Sequence, residues 1–258
     1  MRRITSTSTE LGRSVAEPVA LPAMGEAQKQ SWHALMDLYE RLDSDWTLIG
    51  GQLVHLHCAE RGATSVRPTN DADTVLDIRT VPQMHETFTA VLRDLGFSPE
   101  ISGEGIQHRW RKDLAQVDVL IPEGVGQRAA RRPGAGGAPT VSAPGTTQAL
   151  ERSDPVTVLV SGRVGTVLRP RLVAALIGKA AARTEISSDR KAERHCVDFV
   201  ILAGLISAAD FRDVTLTKKD RDRLRRMIPY CLRSDEAMSV EYADEALDRL
   251  ERAAGLND

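Results

Sequence analysis

The spacing of apolar residues in the first half of the chain changes repeatedly between a helical and a strand period. From Glu26 onward the apolar residues, among them Trp32 and Leu35, fall on one helical stripe. A second amphipathic helix is predicted at 81–95. Short apolar runs bounded by turn residues predict strands at 46–49, 71–78, 106–111 and 116–121, with a further helix at 52–60. This order of elements predicts a mixed sheet flanked by helices.

The second half of the chain begins with a Gly-, Ala- and Pro-rich segment at 124–145, which predicts a long loop. A hairpin that turns at Gly162 is predicted next, with strands at 156–160 and 164–168. Helices are then predicted at 172–184, 189–206, 218–231 and 235–253. We therefore expect a flexible tail at 1–25, a mixed α+β domain at 26–168 and a helical domain at 169–258.

The composition is typical of a soluble globular protein, with 258 residues of which 41% are hydrophobic and 27% charged. The formal net charge of -2 excludes a strongly basic surface over the whole protein. The stretch 169–233 is nevertheless locally basic, because its 15 Lys and Arg outnumber its 8 Asp and Glu by 7. This stretch therefore favours contact with a polyanion.

The cysteines indicate a reducing compartment, since only three are present and no two are spaced as a CxxC pair. We expect a cytoplasmic protein on this basis. The basic N-terminus is not followed by an apolar run, which argues against a secretory signal. No apolar segment approaches the ~18 residues that a membrane-spanning helix needs, so we expect no membrane partner.

Three aspartates form the most informative polar pattern in the chain. Asp71 and Asp73 share one face of a predicted strand, because side chains alternate with a period of two. Asp118 lies within the apolar run of another strand, where an unpaired carboxylate is expensive to bury. Carboxylate oxygens are the ligands that Mg²⁺ prefers. The pattern predicts a magnesium site suited to phosphoryl or nucleotidyl transfer.

A glycine pair, Gly50 and Gly51, separates the first predicted strand of the sheet from the helix that follows. Glycine allows a ligand to approach the backbone closely. The N-terminus of a helix offers unpaired N–H groups and the positive end of the helix dipole. The pair therefore predicts a phosphate-binding turn, although a plain strand-to-helix turn gives the same pattern.

The glycine pair, the segment Arg67-Pro68-Thr69-Asn70-Asp71-Ala72-Asp73 and the segment Val117-Asp118-Val119 together resemble a known family. They look like the motifs of the polymerase-beta-like nucleotidyltransferase superfamily. The branch they resemble is the AbiEii-type nucleotidyltransferase toxins, including the mycobacterial MenT-like toxins. The resemblance covers about residues 46–205. It implies an α+β fold in which a nucleotidyltransferase-type mixed sheet, flanked by helices, is followed by a C-terminal helical bundle.

The resemblance also implies roles for individual residues. Asp71, Asp73 and Asp118 would hold Mg²⁺ that bridges a nucleoside triphosphate, and Asp118 would also act on the attacking hydroxyl. Gly50, Gly51, Arg67, Thr69 and Lys179 would bind the nucleotide. Lys179 would contact a phosphate and is counted with the catalytic residues, as is Asp198, which would orient Lys179 or the substrate.

The activity implied by the resemblance is transfer of a nucleoside monophosphate from an NTP to an acceptor. The expected acceptor is the 3′ end of a tRNA or another RNA, and the expected biological role is that of a toxin with a cognate antitoxin protein. A protein hydroxyl and a small molecule such as an aminoglycoside are alternative acceptors. A further alternative is a binding protein that keeps the fold without turnover.

Each of these residues also has a purely structural explanation. Asp71 could cap a turn, Asp73 could pair with an arginine, and Asp118 could bond a neighbour. Lys179 and Arg67 could be solvated surface charges, and Asp198 could pair with Arg194 on its own helix. The basic run at 218–226 could contact RNA or form a solvated helix face. His55, His57 and Cys58 could suggest zinc, but no second ligand pair has zinc spacing.

Overall fold

The computed structural model describes residues 17–65, 67–186 and 192–256. Its strands are β1 (Val19–Ala20), β2 (Trp46–Ile49), β3 (Asp71–Leu76), β4 (Ser98–Glu100), β5 (Arg109–Lys112), β6 (Ala115–Pro122), β7 (Val141–Ala143), β8 (Ser153–Val160) and β9 (Arg163–Pro170). Its helices are α1 (Glu26–Arg41), α2 (Gly50–Glu60), α3 (Met84–Asp94), α4 (Gln127–Ala130), α5 (Thr147–Glu151), α6 (Leu172–Glu185), α7 (Ala192–Gly204), α8 (Lys218–Leu232), α9 (Asp235–Met238) and α10 (Ala243–Ala254), with a 3₁₀ turn at Ala208–Phe211. Within these described ranges, no helix combines the length and hydrophobicity needed to cross a bilayer.

The main sheet has the strand order β2-β3-β6-β5-β4. The β3 and β6 strands run parallel, whereas β2 pairs antiparallel with β3 and β5 pairs antiparallel with β6. The first half of β6 pairs with β5, and its last residues, Leu120 to Pro122, pair in parallel with the short strand β7. The sheet is therefore mixed, as the α+β prediction requires, and its central pair consists of the two strands that contain the aspartates.

Helices cover the apolar face of this sheet. Trp32, Leu35 and Leu38 of α1 are fully buried, which is the stripe that the helical period predicted. On the adjoining helix α3, Phe88 packs edge-on against Trp46 of β2, with the two ring centroids 5.6 Å apart. Large apolar side chains on α1 and α3 thus pack against the sheet.

The hairpin predicted around Gly162 is present, but it lies outside the main sheet. Its strands β8 and β9 form a three-stranded sheet with β1. Ser161 and Gly162 both have positive φ, at 48° and 86°, as a two-residue hairpin turn requires. Residues 1–16 of the expected tail lie outside the described residues, whereas Val19–Ala20 pair in parallel with β8.

The C-terminal part is helical, as expected, and its helices pack on one another around α6 and α7. The start of the helix predicted at 189–206 lies partly outside the described residues, and α7 is described from Ala192. The helix predicted at 235–253 is divided into α9 and α10, because Tyr242 adopts a left-handed φ of 58° between them. The predicted fold class, a mixed sheet flanked by helices and followed by C-terminal helices, is confirmed.

The segment predicted as a long loop at 124–145 contains α4 and β7. Its glycines allow close packing. A side chain at Gly134 would place its Cβ 2.7 Å from Thr89 Oγ1, and one at Gly136 would place its Cβ 2.0 Å from Gln107 Oε1. The Gly- and Ala-rich composition therefore reflects a segment that packs closely against α3 and the residues just before β5.

Candidate metal and nucleotide site

Three aspartates from the two central parallel strands converge on one face of the sheet. Asp73 of β3 lies directly opposite Asp118 of β6, and Asp71 lies two residues before Asp73 on the same face. One carboxylate oxygen from each residue can be chosen so that all three lie within 4.8 Å of one another. The structure thus brings together the three residues predicted to hold a metal, whose role as ligands stays a prediction.

Asp73 lies beside two other carboxylates in a buried setting that disfavours its ionisation. Burial, together with the nearby carboxylates of Asp71 and Asp118, raises the pKa of Asp73 from 3.8 to about 7. The cations of Lys179 and Arg194 act in the opposite direction. A divalent cation bound here would relieve the repulsion among the three carboxylates.

Gly50 is required by the position of Asp73. It has a φ of 75°, and a Cβ built on it would lie 1.8 Å from Asp73 Oδ2. The strand register explains this contact, because Ile49 lies opposite Asp73 at the end of β2 and Gly50 follows directly. The turn therefore passes against the acidic cluster, and any side chain at Gly50 would enter it.

Gly51 is restricted by different neighbours. Its Cβ would lie 2.8 Å from Thr69 Oγ1 and 3.0 Å from Arg67 Nη2. We expected the helix to begin after the glycines, at residue 52, but α2 begins at Gly50. Both glycines therefore lie in the first turn, where backbone N–H groups have no partner within the helix.

Thr69 supports the acidic cluster from the preceding turn. Its hydroxyl donates a 2.7 Å hydrogen bond to Asp71 Oδ1, and its carbonyl accepts a bond from Gln52 Nε2 on α2. Thr69 was predicted to bind nucleotide. In the structure its side chain orients Asp71, and the predicted contact with nucleotide stays a prediction.

Lys179, Arg67 and Asp198 form a largely buried ionic group beside the glycine turn. Lys179 Nζ lies 2.6 Å from Asp198 Oδ2, and Arg67 bonds both carboxylate oxygens at 3.0 and 3.3 Å. Although burial opposes ionisation, these two cations hold the pKa of Asp198 below its ordinary value. Lys179 is only 6% exposed, so it is not the solvated surface lysine of the structural alternative. Asp198 pairs with Lys179 and Arg67, the arrangement expected if it orients the lysine.

Arg109 is a component of the site that the sequence did not reveal. It lies opposite Asp118 in the antiparallel pair β5–β6 and bonds both carboxylate oxygens, with Nε to Oδ1 at 3.1 Å and Nη2 to Oδ2 at 3.0 Å. Gln116 Nε2 also donates to Asp118 Oδ1 at 3.1 Å. The tight turn near Asp113 was a usable signal, because it sets the register that places Arg109 opposite Asp118.

An open cavity of about 150 Å³ adjoins the acidic cluster. Gly50, Asp73 and Lys179 line it together with small residues of α6 and the segment 143–146. On α6 these are Ala174, Ala175, Gly178 and Ala182. Gly145 holds the segment close to α6, since its Cβ would lie 2.6 Å from the Cβ of Ala181. The cavity is therefore a mostly apolar space with its charged groups near the aspartates.

The histidines considered for zinc bond other groups. His55 Nε2 contacts the carbonyl of Arg67 at 2.6 Å, and His57 Nε2 contacts that of Pro170 at 3.1 Å. The sole metal-compatible cluster among the described residues is the aspartate group. The zinc hypothesis therefore gains no support.

The basic run at 218–226 is divided between two environments. Arg223 is buried and bonds Glu123 and Glu185, which ties α8 to the end of the sheet and to α6. Lys218, Lys219 and Arg226 are exposed, and of these Lys219 also pairs with Glu123. Part of the run is thus structural, and part is accessible to a partner.

Comparison with known proteins supports the architecture. No family model matches the chain, and no curated protein sequence matches it either. An antigenic nucleotidyltransferase-like protein from Paracoccidioides brasiliensis superposes with a TM-score of 0.51 at 16% identity, over 88% of this chain and 95% of that chain. The antibiotic-resistance factor ANT(2'')-Ia gives a TM-score of 0.41 at 12% identity, over 81% of this chain and 96% of that chain. The first of these likenesses shows that the chain has a nucleotidyltransferase-like fold.

Proposed function

We propose that the protein is a magnesium-dependent nucleotidyltransferase that moves a nucleoside monophosphate from an NTP to an acceptor and releases pyrophosphate. The observation that carries this proposal is the contact between the glycine turn and the aspartate cluster. The Cβ position of Gly50 lies 1.8 Å from Asp73 Oδ2, so a phosphate bound at the helix start would lie beside the metal ligands. Phosphoryl transfer needs these two features side by side.

The donor set fits Mg²⁺, because Asp71, Asp73 and Asp118 offer only carboxylate oxygens within 4.8 Å of one another. Burial and the nearby carboxylates of Asp71 and Asp118 raise the pKa of Asp73, and a bound cation would offset the part that comes from those carboxylates. When bound, the metal would supply charge neutralisation and lower the pKa of the attacking hydroxyl. Thr69 would keep Asp71 in place through its 2.7 Å hydrogen bond.

The remaining groups of the site would position the nucleotide. The first turn of α2 would bind phosphate oxygens through its free N–H groups. Lys179, held by Asp198, would present its ammonium group to the phosphates, since it lines the same cavity as Gly50 and Asp73. The apolar part of this cavity would receive the nucleoside and exclude water from it.

The acceptor we propose is the 3′ end of a tRNA or another RNA. The biological role we propose is that of a cytoplasmic toxin with a cognate antitoxin. Two observations support an RNA acceptor. The motifs resemble those of the AbiEii-type toxins, and Lys218 and Arg226 add exposed positive charge to α8.

A transfer assay tests the activity. The purified protein is incubated with Mg²⁺, each α-labelled NTP in turn and total tRNA, beside an Asp71→Asn variant. We expect label in tRNA with the wild type and a loss of at least ~100-fold in the variant, because one metal ligand becomes neutral. Label on protein or on an added aminoglycoside instead would change the acceptor. Absence of any label transfer from folded protein would reject the enzyme.

The pH dependence of metal-free stability provides a separate prediction. Because the pKa of Asp73 is raised from 3.8 to about 7, the folded state retains a proton that the unfolded state loses. The stability associated with this proton is present below pH 4 and is lost as the pH rises to 7. In chelator, Asp73→Asn is therefore expected to be more stable than wild type at pH 8, by more than ~1.4 kcal/mol, which corresponds to one pKa unit.

Urea unfolding of both proteins at pH 5 and pH 8 measures this difference. At pH 5 the two proteins should differ by less than at pH 8, since Asp73 itself is then protonated in the folded state. Added Mg²⁺ should stabilise the wild type at pH 8 and leave Asp73→Asn nearly unchanged. A variant that is less stable than wild type at pH 8 without metal would contradict the raised pKa of Asp73.

A further inference from the structure

Asp118, the third candidate metal ligand, already forms an ion pair with Arg109. Both oxygens of Asp118 accept bonds from Arg109, at 3.1 and 3.0 Å. The Asp118 side chain is 8% exposed, whereas that of Arg109 is 33% exposed. An arginine side chain stays protonated in proteins, so Arg109 keeps its positive charge. A permanent cation therefore occupies the Asp118 carboxylate when no metal is bound.

A metal ion at the aspartate cluster would compete with this cation. Both would be bound by the same carboxylate, and two positive charges a few ångströms apart repel each other. Asp118 has little freedom to move, because it lies on a central strand and is also bonded by Gln116. Arg109 lies on β5, is one-third exposed and has a long flexible side chain, so it is the group that can leave.

The strand register indicates where Arg109 faces. One row of paired residues crosses the sheet from β2 to β5. In this row Ile49 lies opposite Asp73, Asp73 lies opposite Asp118, and Asp118 lies opposite Arg109. The glycine turn follows Ile49 and therefore lies at one end of this row. In phosphoryl transfer the attacking and leaving oxygens are roughly in line across the phosphorus. With the triphosphate at the glycine end, the acceptor approaches from the end that Arg109 occupies.

We propose that Arg109 exchanges partners during the reaction cycle. It pairs with Asp118 in the metal-free protein, and when the metal takes Asp118 it binds a phosphate of a nucleic-acid acceptor. This proposal rests on the proposed nucleotidyltransferase function. A guanidinium suits this role, since it forms bidentate bonds with both carboxylates and phosphates. Arg109 is thus a positioning residue that couples metal binding to acceptor binding.

The first test measures metal affinity without any turnover. Mn²⁺ and Mg²⁺ are titrated by calorimetry into the full chain, as wild type, Arg109→Gln, Arg109→Lys and Arg111→Gln. Arg111 is a matched control, because it lies on the same strand and pairs with the half-exposed Glu100. We expect Arg109→Gln to bind metal about five- to tenfold more tightly, since a charged competitor is removed. Arg109→Lys should be intermediate and Arg111→Gln unchanged.

Metal affinity that is equal to or weaker than wild type in a folded Arg109→Gln would overturn the competition. Thermal melting in chelator checks folding. If Arg109→Gln does not fold, the charge-retaining Arg109→Lys decides the question, because it must still bind metal more tightly than wild type.

The second test measures binding of unfractionated tRNA by fluorescence anisotropy, with and without Mg²⁺ at constant ionic strength. In the wild type, Mg²⁺ should strengthen tRNA binding, and in Arg109→Gln this gain should fall about tenfold. Arg111→Gln controls for the effect of Mg²⁺ on the tRNA itself. An undiminished gain in Arg109→Gln would reject the exchange. Neither test depends on turnover. A failed transfer assay would therefore reject the proposed enzymatic activity, and the metal-affinity and tRNA-binding results could still be interpreted.

Discussion

Replacing Asp198 with alanine is expected to lower the free energy of unfolding by about 3–5 kcal/mol, the usual range for breaking a buried ion pair. Asp198 is 2% exposed and bonds both Lys179 and Arg67. Without it, the Lys179 ammonium would remain in a nearly buried position with no counter-charge from α7. The expected loss therefore comes mainly from the stranded cation and less from the net value of the pair.

Urea unfolding followed by circular dichroism measures this loss. Glu40→Ala is a suitable control, because Glu40 is 65% exposed and pairs with Arg163 at 3.3 Å, so its removal should change stability by less than ~1 kcal/mol. The loss of unfolding free energy in Asp198→Asn should lie between those of Asp198→Ala and Glu40→Ala, because asparagine keeps an oxygen acceptor for Lys179 and lacks only the charge. Equal effects of Asp198→Ala and Glu40→Ala would show that the ionic group contributes nothing beyond a surface pair.

The convergence of the aspartates could be predicted because it depends on local rules. Alternation places Asp71 and Asp73 on one face of a strand, and an aspartate in an apolar run needs a partner. The structure places Asp73 opposite Asp118 in register. Their roles as metal ligands remain predictions, but their proximity follows from the strand period.

Other features depend on contacts that no local pattern encodes. A two-residue strand such as Val19–Ala20 has no readable period, and it forms because β8, far along the chain, offers an edge. The pairing of Asp198 with Arg67 joins residues 131 positions apart. The segment 124–145 was predicted as a loop from its composition, which does not reveal that its glycines pack against Thr89 and Gln107.

Arg109 falls between these two cases. Its partner Asp118 is only nine residues away, and the hairpin turn near Asp113 sets their register. The strand was predicted at 106–111 but lies at Arg109–Lys112, so its boundary alone did not place Arg109 opposite Asp118. The arginine partner of a candidate metal ligand such as Asp118 has to be found from strand register, because a search for acidic motifs does not include basic residues.

Replacing Gly50 with alanine is expected to reduce nucleotidyl transfer by about 100-fold or more, since shifts near 1 Å at a reacting centre have effects of this order. The new Cβ would lie 1.8 Å from Asp73 Oδ2, so the carboxylate or the turn must move. Strain at the positive φ of 75° would add about 1–2 kcal/mol of destabilisation.

Gly62→Ala separates these two effects. Gly62 has a similar φ of 66° and follows the same helix, but a Cβ there would meet nothing within 4 Å. Both variants should therefore lose comparable stability from backbone strain, whereas only Gly50→Ala should lose Mg²⁺ affinity and transfer of label from an NTP. Calorimetric titration of Mg²⁺ and the transfer assay compare the two variants directly. If Gly50→Ala retains metal affinity and activity equal to those of Gly62→Ala, the glycine turn and the aspartates do not form one site, and the phosphate must bind elsewhere.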